Sequence, residues 1–311
     1  MERHAGASCR RLSRHPQHGR NRLYVVELAD GGAVLAKRTS PGSGICKECF
    51  AYAALGGRDF VLAPVALLPA LHLCLLPYDP GAETLEHLAV RDLFACLDHI
   101  TDLAIAALDL QDVELPGDLR GPPGLIDLPR PRPDQLEDVS DAFLELLADA
   151  RAAGLTEECT LPESLRPVLS HGDIKLDNVL VSGDRPVLID FESLCKAPVG
   201  FDAAGFVAML LIAVIRVRRS PDELERDKAD FRSAFRRALP ITAALSSYAA
   251  GRGWRPPGDE EFSRMVAWHL LHRALSEAMH RRRATDGGKL SLRLARAILS
   301  NGLETMAHAS A

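Results

Sequence analysis

The sequence predicts an α+β fold with two lobes, a small β-rich N-terminal lobe and a large α-helical C-terminal lobe. Apolar residues in alternation over residues 23–37 indicate a β-hairpin, because Asp30-Gly31-Gly32 interrupts them as a turn. Two prolines and a glycine in residues 77–81 are typical of a hinge. Beyond the hinge, apolar residues recur at helical spacing. We therefore predict lobes over residues 1–78 and 79–311.

In the N-terminal lobe we predict a sheet and one helix. The first 18 residues are rich in Arg and His and indicate a loose terminus. The predicted strands cover residues 23–28, 33–37, 60–64 and 71–76. A helix is predicted over residues 46–55, because Gly56 and Gly57 follow it as a stop signal.

In the C-terminal lobe helices dominate. We predict helices over residues 90–110 and 134–153, separated by a loop that is dense in Pro and Gly. Two short strands joined by a turn are predicted after residue 178. From residue 203 to residue 308 the pattern is helical, with predicted breaks at Pro221, at Pro240 and over residues 251–258.

The most informative stretch is His-Gly-Asp-Ile-Lys-Leu-Asp-Asn over residues 171–178, followed by Asp190. Asp190 ends a run of branched apolar residues, so a strand would aim its carboxylate rigidly. Carboxylate and carboxamide oxygens bind Mg²⁺, which usually bridges them to phosphates. We predict Asn178 and Asp190 as metal ligands, and Asp173 as the catalytic group that accepts or orients the proton of an acceptor hydroxyl.

Upstream residues complete this pattern. Lys37, on the return strand of the hairpin, is predicted to reach nucleotide phosphates, and Glu48 on the next helix is predicted to pair with it. Gly19 and Asn21 are predicted to cover the phosphates, although a segment with one glycine is equally consistent with an ordinary loop. Tyr78, in the hinge, is predicted to contribute to the same cofactor site.

These motifs resemble those of the aminoglycoside phosphotransferase and choline kinase-like family, which is related to the protein kinases. The resemblance rests on the His-Gly-Asp-x-x-x-x-Asn loop at 171–178 and on Ile-Asp-Phe-Glu at 189–192. It implies a protein-kinase-like fold, ATP and Mg²⁺ as cofactors, and transfer of the γ-phosphoryl group to an alcohol hydroxyl. It also implies that Asp202 braces the backbone of the catalytic loop.

Departures from the protein kinases are informative. Asp202 follows Asp190 by only 12 positions, which leaves no room for an activation loop. Lys175 matches the lysine that serine/threonine protein kinases place on the γ-phosphate, so we predict it as catalytic; the alternative is a solvated loop lysine. His171 is expected to pack and hydrogen-bond within the loop rather than to react.

The acceptor is less constrained by the sequence. Residues 262–311 hold eight Lys or Arg against three acids, a net charge of +5 that disfavours a polycationic acceptor. This balance suits an acidic or neutral acceptor, of which a Ser or Thr hydroxyl of a peptide is the favoured candidate. The resemblance implies a precursor peptide and a partner lyase, since some relatives of the family resemble kinases of lanthipeptide and thioamitide biosynthesis. An antibiotic or small-metabolite kinase and an inactive pseudokinase are the alternatives. The intact set of predicted site residues argues against the pseudokinase.

The composition of the chain limits the partners, the cysteine sites and the location that we expect. The net charge of −5 over 311 residues suggests no nucleic-acid partner, and no segment is apolar and long enough to suggest a membrane span. Seven cysteines include one Cys-x-x-Cys pair at 46 and 49, which we interpret as chance spacing because no second pair follows. We expect reduced thiols and a cytoplasmic location.

Overall fold

The structure is a computed structural model that describes residues 9–14, 22–38, 45–114, 119–122, 141–152, 154–158, 161–217, 224–281 and 285–309. The chain divides into two compact units. The first unit comprises Met1–Leu85, His171–Asp173 and Asp177–Leu194, and the second comprises Glu86–Ser170, Ile174–Leu176 and Cys195–Ala311. The predicted fold class is confirmed, since one unit carries an antiparallel sheet and the other is mostly helical. The lobe boundary at residue 78 stays a prediction.

The first unit is built on a five-stranded antiparallel sheet. Its strands are β1 (Cys9–Arg14), β2 (Arg22–Leu28), β3 (Ala33–Arg38), β4 (Ala66–Leu68) and β5 (Leu73–Pro77), in the order β1-β2-β3-β5-β4. Alternate residues of the central strands face one side, where they form an apolar core. That core contains Val26, Leu28, Val34, Ala36 and Leu75. Helix α1 (Ile45–Leu55) follows β3.

A second, three-stranded sheet brings a distant part of the chain into the first unit. It contains β6 (Glu83–Thr84), β8 (Val179–Ser182) and β9 (Arg185–Leu188), in the order β6-β8-β9. The end of β9 also bonds to the segment after α1, because the Leu188 amide donates to the Phe60 carbonyl at 2.8 Å and the Leu62 amide donates to the Leu188 carbonyl at 3.3 Å. These bonds tie the chain two residues before Asp190 to the segment between α1 and β4.

Three strand predictions in this unit need correction. The predicted strand over residues 60–64 is wrong, since Val61 makes only an isolated bridge to Leu188. The strand predicted over residues 71–76 begins later, at Leu73, after a 3₁₀ turn over Pro69–Leu71. The loose terminus was also too broad a prediction, because β1 lies within it. Sequence patterns indicate local propensity, whereas these strands depend on partners far along the chain.

The second unit contains most of the helices. They are α2 (Leu85–Arg91), α3 (Leu93–Ala106), α4 (Asp141–Ala152), α5 (Leu155–Glu158), α6 (Phe201–Val217), α7 (Leu224–Gly251), α8 (Asp259–Arg281), α9 (Asp286–Asn301) and α10 (Leu303–Ala309). Its two short strands, β7 (Pro167–Ser170) and β10 (Cys195–Pro198), pair antiparallel. Most residues of α6 are buried, as expected for a helix that is apolar on every face. None of the helices described is long and apolar enough to cross a bilayer.

Two helix predictions in this unit are wrong in detail. The helix predicted over residues 90–110 is divided, because the Asp92 side chain caps α3 by accepting from the Ala95 amide at 3.1 Å. The predicted break at Pro240 is absent, and α7 continues through it. Pro240 is exposed while Ala238 and Ile241 beside it are buried, so side-chain packing offsets the lost hydrogen bond and water can satisfy the carbonyl it leaves.

The other predicted boundaries agree where the structure describes them. The break over residues 251–258 is present between α7 and α8. The helix predicted over residues 134–153 is described from Asp141 to Ala152. Pro221 and most of the predicted loop over residues 115–133 lie outside the described residues.

Candidate active site

A buried lysine and two carboxylates form the centre of the site. Lys37 lies on β3, where its side chain is 7% exposed, and its Nζ atom contacts Glu48 Oε1 at 2.9 Å. The same Nζ atom forms a hydrogen bond and ion pair with the Asp190 carboxylate, although the two residues are 153 positions apart. Strand β3, helix α1 and the segment after β9 therefore converge on one charged group.

Glu48 sits in the first turn of α1 and its side chain is 1% exposed. Burial raises the pKa of the Glu48 carboxyl, since the charged form loses its hydration, while the neighbouring Lys37 ammonium acts in the opposite direction. A buried carboxylate of this kind is stable only beside a cation. The position of Glu48 thus depends on Lys37.

The environment of Lys37 favours the charged form of its side chain, whereas that of Glu48 disfavours it. Burial disfavours the ammonium form, but the carboxylates of Asp190 and Glu48 outweigh it, so the pKa of Lys37 lies above its ordinary value. Lys37 therefore carries a full positive charge at neutral pH. A fixed, desolvated cation of this kind suits the binding of nucleotide phosphates.

The loop that carries Asp173 is held by a short set of hydrogen bonds. Asn178 Nδ2 donates to the Asp173 carbonyl at 2.9 Å and to Asp173 Oδ2 at 3.2 Å. The Ile189 amide donates to the Asn178 carbonyl at 3.0 Å, which joins this loop to the strand that precedes Asp190. The two predicted metal ligands are therefore on directly bonded segments.

His171 closes the base of the loop and is fully buried. Its Nε2 lies 2.9 Å from the Ile189 carbonyl, and the Asp173 amide donates to its Nδ1 at 3.3 Å. A carbonyl can only accept and an amide N–H can only donate, so this pattern assigns the proton to Nε2. Both ring nitrogens are thus used in hydrogen bonds, one within the loop and one to the segment before Asp190. The non-reactive role expected of His171 stays a prediction.

Asp190 adopts an unusual backbone conformation. Its φ of 66° and ψ of 60° lie in the left-handed region, which costs free energy for any residue with a Cβ atom. The next residue, Phe191, is fully buried, and its ring centroid lies 4.7 Å from that of His171 and 5.5 Å from that of Tyr52. This packing stabilises the backbone turn that presents the Asp190 carboxylate.

The chemistry of the donor set fits Mg²⁺. The Asp190 side chain is 23% exposed, and the Asn178 amide nitrogen is engaged with Asp173, so the carboxamide oxygen is the atom of Asn178 that could bind a metal ion. Among the described residues, no group of three or more His, Cys, Asp or Glu side chains could hold a metal ion. Two protein oxygens match Mg²⁺, which takes its other ligands from phosphates and water.

The remaining predicted residues are placed as follows. Tyr78 is half-buried directly after β5. Lys175 is half-buried in the three-residue stretch that groups with the second unit, and Asp202 is buried in the first turn of α6. Gly19 and Asn21 lie outside the described residues, so the predicted phosphate-covering loop stays a prediction.

Two residues near the site were not predicted from the sequence. Tyr52 lies one helical turn after Glu48 and packs against Phe191. Gly205 lies within α6, and a Cβ atom added there would stand 3.1 Å from Ile174 Cβ and 3.1 Å from the ring of His269. A glycine inside an apolar helix is itself a sequence signal for close packing.

The sequence of this chain is similar to those of known phosphotransferases. A model of the phosphotransferase enzyme family matches residues 12–241. Methylthioribose kinase from Geobacillus thermodenitrificans is 35% identical over 91 residues, a match that covers 28% of this chain. This chain thus spans only 23% of the length of that curated relative.

Solved structures resemble the whole chain at low identity. A choline/ethanolamine kinase family protein from Mesorhizobium loti has a TM-score of 0.52 and 14% identity, covering 96% of this chain and 92% of its own. A thermostable mutant of aminoglycoside phosphotransferase APH(4)-Ia, in a ternary complex with ADP and hygromycin B, has a TM-score of 0.52 and 14% identity, covering 98% and 96%. At such identities the likeness concerns the fold alone.

Proposed function

Because the chain belongs to the phosphotransferase enzyme family, we propose that it transfers the γ-phosphoryl group of ATP to an alcohol hydroxyl with the help of Mg²⁺. The observation that carries this proposal is the contact of buried Lys37 with both Glu48 and Asp190. Residues far apart in sequence meet there in the arrangement that phosphoryl transfer requires.

Each residue has a distinct role in this proposal. Lys37 binds the α- and β-phosphates, and Glu48 keeps its ammonium group in place. Asp190 and Asn178 hold Mg²⁺, which neutralises charge on the phosphates when it is bound. The ion pair of Lys37 with Asp190 fixes both groups before the nucleotide arrives.

Asp173 acts on the acceptor hydroxyl. Its Oδ2 accepts a hydrogen bond from Asn178, which sets the direction of the carboxylate and couples it to a metal ligand. The carboxylate then accepts or orients the hydroxyl proton as the phosphoryl group is transferred. Lys175, two residues further on, is proposed to approach the γ-phosphate; Tyr78 is proposed to line the nucleotide site.

For the acceptor we favour a small molecule. The methylthioribose kinases and APH(4)-Ia are named for small hydroxylated acceptors, and the latter was solved with hygromycin B. These proteins support the class of acceptor and not its identity. The family model matches residues 12–241 of this chain, and the predicted catalytic and metal-binding residues lie within residues 171–194.

The peptide acceptor is the second candidate, and its support is weaker than the sequence indicated. The net charge of +5 counted from residue 262 leaves out Asp259, Glu260 and Glu261, which begin the same helix α8. Arg264 pairs with Glu260, and Lys289 approaches Glu145 at 3.6 Å. Neighbouring acids therefore offset part of the positive charge that favoured a peptide and a partner lyase.

The deciding experiment is a reaction with Mg·ATP and two acceptor pools, one of small alcohols, sugars and antibiotics and one of Ser/Thr-rich peptides. Mass spectrometry would identify any acceptor that gains one phosphoryl group. We expect phosphorylation in the small-molecule pool. Product in the peptide pool alone would favour the peptide kinase, and binding of Mg·ATP without product in an exhaustive panel would favour the pseudokinase.

Asp173→Asn tests the catalytic assignment in the same assay. We expect kcat to fall by about 10²–10⁴-fold with ATP binding retained, because the carboxamide has no basic oxygen for the acceptor proton. Asp177→Asn is the matched control, since Asp177 is a half-buried carboxylate of the same loop outside the predicted site. Near-normal turnover of Asp173→Asn would contradict the assignment.

A further inference from the structure

Helix α8 carries a stripe of polar residues on one face of its second half. The polar residues recur at intervals of three and four positions, which places them on the same side of an α-helix. This polar stripe consists of His269, His272, Arg273, Ser276 and Glu277. All of them except the first are half-buried, whereas the apolar residues between them are buried.

The same face is apolar in the first half of the helix. Phe262, Met265 and Val266 lie on it there, and all three are buried. The face becomes polar at His269, which is 8% exposed. A polar face at this depth is informative, because exposed polar residues occur on any surface helix and need no explanation.

The polar stripe begins beside the catalytic loop. A Cβ atom added to Gly205 would stand 3.1 Å from His269 Cε1 and 3.1 Å from Ile174 Cβ. His269 and Ile174 therefore approach the same point of α6. Ile174 directly follows Asp173, the predicted catalytic residue. The inner end of the stripe thus lies next to the segment that carries the group expected to act on the acceptor.

From that end the polar stripe runs along α6. The ring centroid of His269 lies 4.4 Å from that of Phe201, at the start of α6. Glu277 Oε1 lies 3.5 Å from Arg216 Nη1, near the end of α6. The two helices therefore run in the same direction over this stretch. The helical rise from His269 to Glu277 is about 12 Å, a length that one small molecule can contact.

The charges along the polar stripe cancel. Arg216 contacts Glu277 at 3.5 Å and Glu86 of α2 at 3.8 Å. With Arg273, two arginines are balanced by two glutamates. A polycation would be repelled by the arginines and a polyanion by the glutamates. The imidazole, guanidinium, hydroxyl and carboxylate groups provide both donors and acceptors, which match uncharged hydroxyl groups because these also do both.

Neighbouring groups fix the two histidine rings of the stripe. His269 Nε2 lies 3.0 Å from the Phe201 carbonyl, so this nitrogen carries the proton and Nδ1 is the acceptor. His272 stacks on Trp268, with ring centroids 4.8 Å apart and an interplanar angle of 8°. Trp268 is buried and supports the more accessible ring. Side chains that are already fixed lose little conformational entropy when a ligand binds.

We propose that the polar stripe of α8 binds the phosphoryl acceptor and selects an uncharged molecule rich in hydroxyl groups, such as a sugar or a sugar alcohol. The inference rests on the proposed function, because it concerns the acceptor whose hydroxyl Asp173 would act on. His272, Arg273 and Ser276 hydrogen-bond to hydroxyls of the acceptor other than the reacting one. The stripe itself takes no part in the transfer.

A kinetic test compares two arginines of the same helix. Arg273→Gln changes the polar stripe, whereas Arg264→Gln is the matched control, because Arg264 lies on the opposite face and pairs with Glu260. With Mg·ATP and a panel of ribose, glucose and sorbitol, we expect Arg273→Gln to raise the acceptor KM about five- to tenfold, the effect of losing roughly one hydrogen bond. The KM for ATP should not change, and Arg264→Gln should behave as the native protein.

NMR of the histidine rings measures binding without transfer. The Cε1–H resonance of His272 is identified by its loss in His272→Gln. In the native protein without nucleotide, we expect this resonance to shift when a member of the neutral panel is added. Hygromycin B, as a polycation, and an acidic Ser/Thr-containing peptide should leave it unchanged. If no neutral sugar or sugar alcohol shifts it, the inference is wrong.

Binding and activity separate two kinds of failure. If neutral sugars shift the His272 resonance but no acceptor is phosphorylated, the binding surface stands and the proposed function fails. If transfer occurs and Arg273→Gln and Arg264→Gln have equal acceptor KM values, the function stands and the role of the stripe is wrong. Phosphorylation of hygromycin B or of the peptide alone would also overturn it. Ser276→Ala, a smaller change with the same expected direction, keeps the test available if Arg273→Gln does not fold.

Discussion

The two units of this protein each contain a charged cluster, and the clusters are built in opposite ways. In the first unit, Lys37 and Glu48 are almost fully buried, and one oxygen of Glu48 has no partner among the described residues. In the second unit, Glu261 binds Arg255 through both oxygens, at 2.7 and 2.8 Å, and its side chain remains 21% exposed. The better hydrogen-bonded cluster is the one that contacts water.

The difference suggests that the exposed cluster stabilises the fold, whereas the buried cluster serves the proposed chemistry. Glu261 also accepts from the Gly258 amide at 3.0 Å and from Ser164 at 3.1 Å, so it closes the turn before α8 completely. The buried cluster is less complete, since Glu48 Oε2 has no partner among the described residues. In the proposed function, Lys37 and Asp190 bind a nucleotide and a metal ion in addition to one another. Incomplete pairing of buried charges is typical of sites that bind a charged ligand.

The largest effect is expected from Lys37→Met. This change leaves Glu48 buried without its cation, so we expect the free energy of unfolding to fall by about 3–5 kcal/mol and nucleotide binding to be lost. The pKa of Glu48 is already raised by burial, so the loss should be greatest above that pKa and smaller at acidic pH, where Glu48 takes up a proton. Chemical denaturation across the pH range would measure it.

A double variant provides the control for that experiment. Lys37→Met with Glu48→Gln removes both charges, so most of the lost stability should return while nucleotide binding stays absent. If the single and double variants were equally unstable, the pair would not be electrostatically coupled. The difference that we infer between the two clusters would then be wrong.

A second test compares the two units by the packing around a helical glycine instead of by the pairing of charges. Gly205→Ala should lower kcat by about tenfold, because the new methyl group would press on Ile174, the residue next to Asp173. Gly251→Ala, in helix α7, has no atom within 4 Å of the added carbon. It should leave kcat unchanged and raise stability by up to about 1 kcal/mol. Equal kcat values for the two variants would exclude a positioning role for Gly205.

The smallest effect is expected from Glu261→Gln. Arg255 lowers the pKa of Glu261 from its ordinary 4.5 to about 2, so the carboxylate stabilises the folded state above pH 4.5 and this contribution is lost as the pH falls to about 2. The Arg255 side chain is 53% exposed, so solvent screening limits the loss at neutral pH to about 1 kcal/mol or less. Thermal melts at pH 7 and pH 2.5 would show whether the difference becomes smaller in acid, and turnover at pH 7 should be unaffected.

Local signals predicted the fold where the chain folds onto its neighbours in sequence. The hairpin of β2 and β3 and helix α1 were predicted within a residue or two, because a turn and a pair of glycines mark their ends. Strand β1 carries no such signal. Five of its six residues are exposed, so its sequence lacks the apolar alternation by which strands are predicted.

The predictions for the site show the same division between local contacts and contacts of distant segments. The pairing of Lys37 with Glu48 was expected from the order of the residues, and the two side chains do meet. The direct contact of Lys37 with Asp190 and the approach of Gly205 to Ile174 depend on how distant segments pack, so no local pattern encodes them. Tyr52 was missed because an aromatic residue on an apolar helix face usually indicates core packing.

The return of residues 177–194 to the first unit has a consequence for synthesis on the ribosome. Lys37 emerges 153 residues before Asp190, so the first unit lacks β8, β9 and Asp190 while residues 86–170 of the second unit are being made. At about 5–20 residues per second, that interval is roughly 8–30 seconds. During it, Lys37 and Glu48 have each other but lack Asp190, and a fragment ending at the hinge would lack Asp190 permanently.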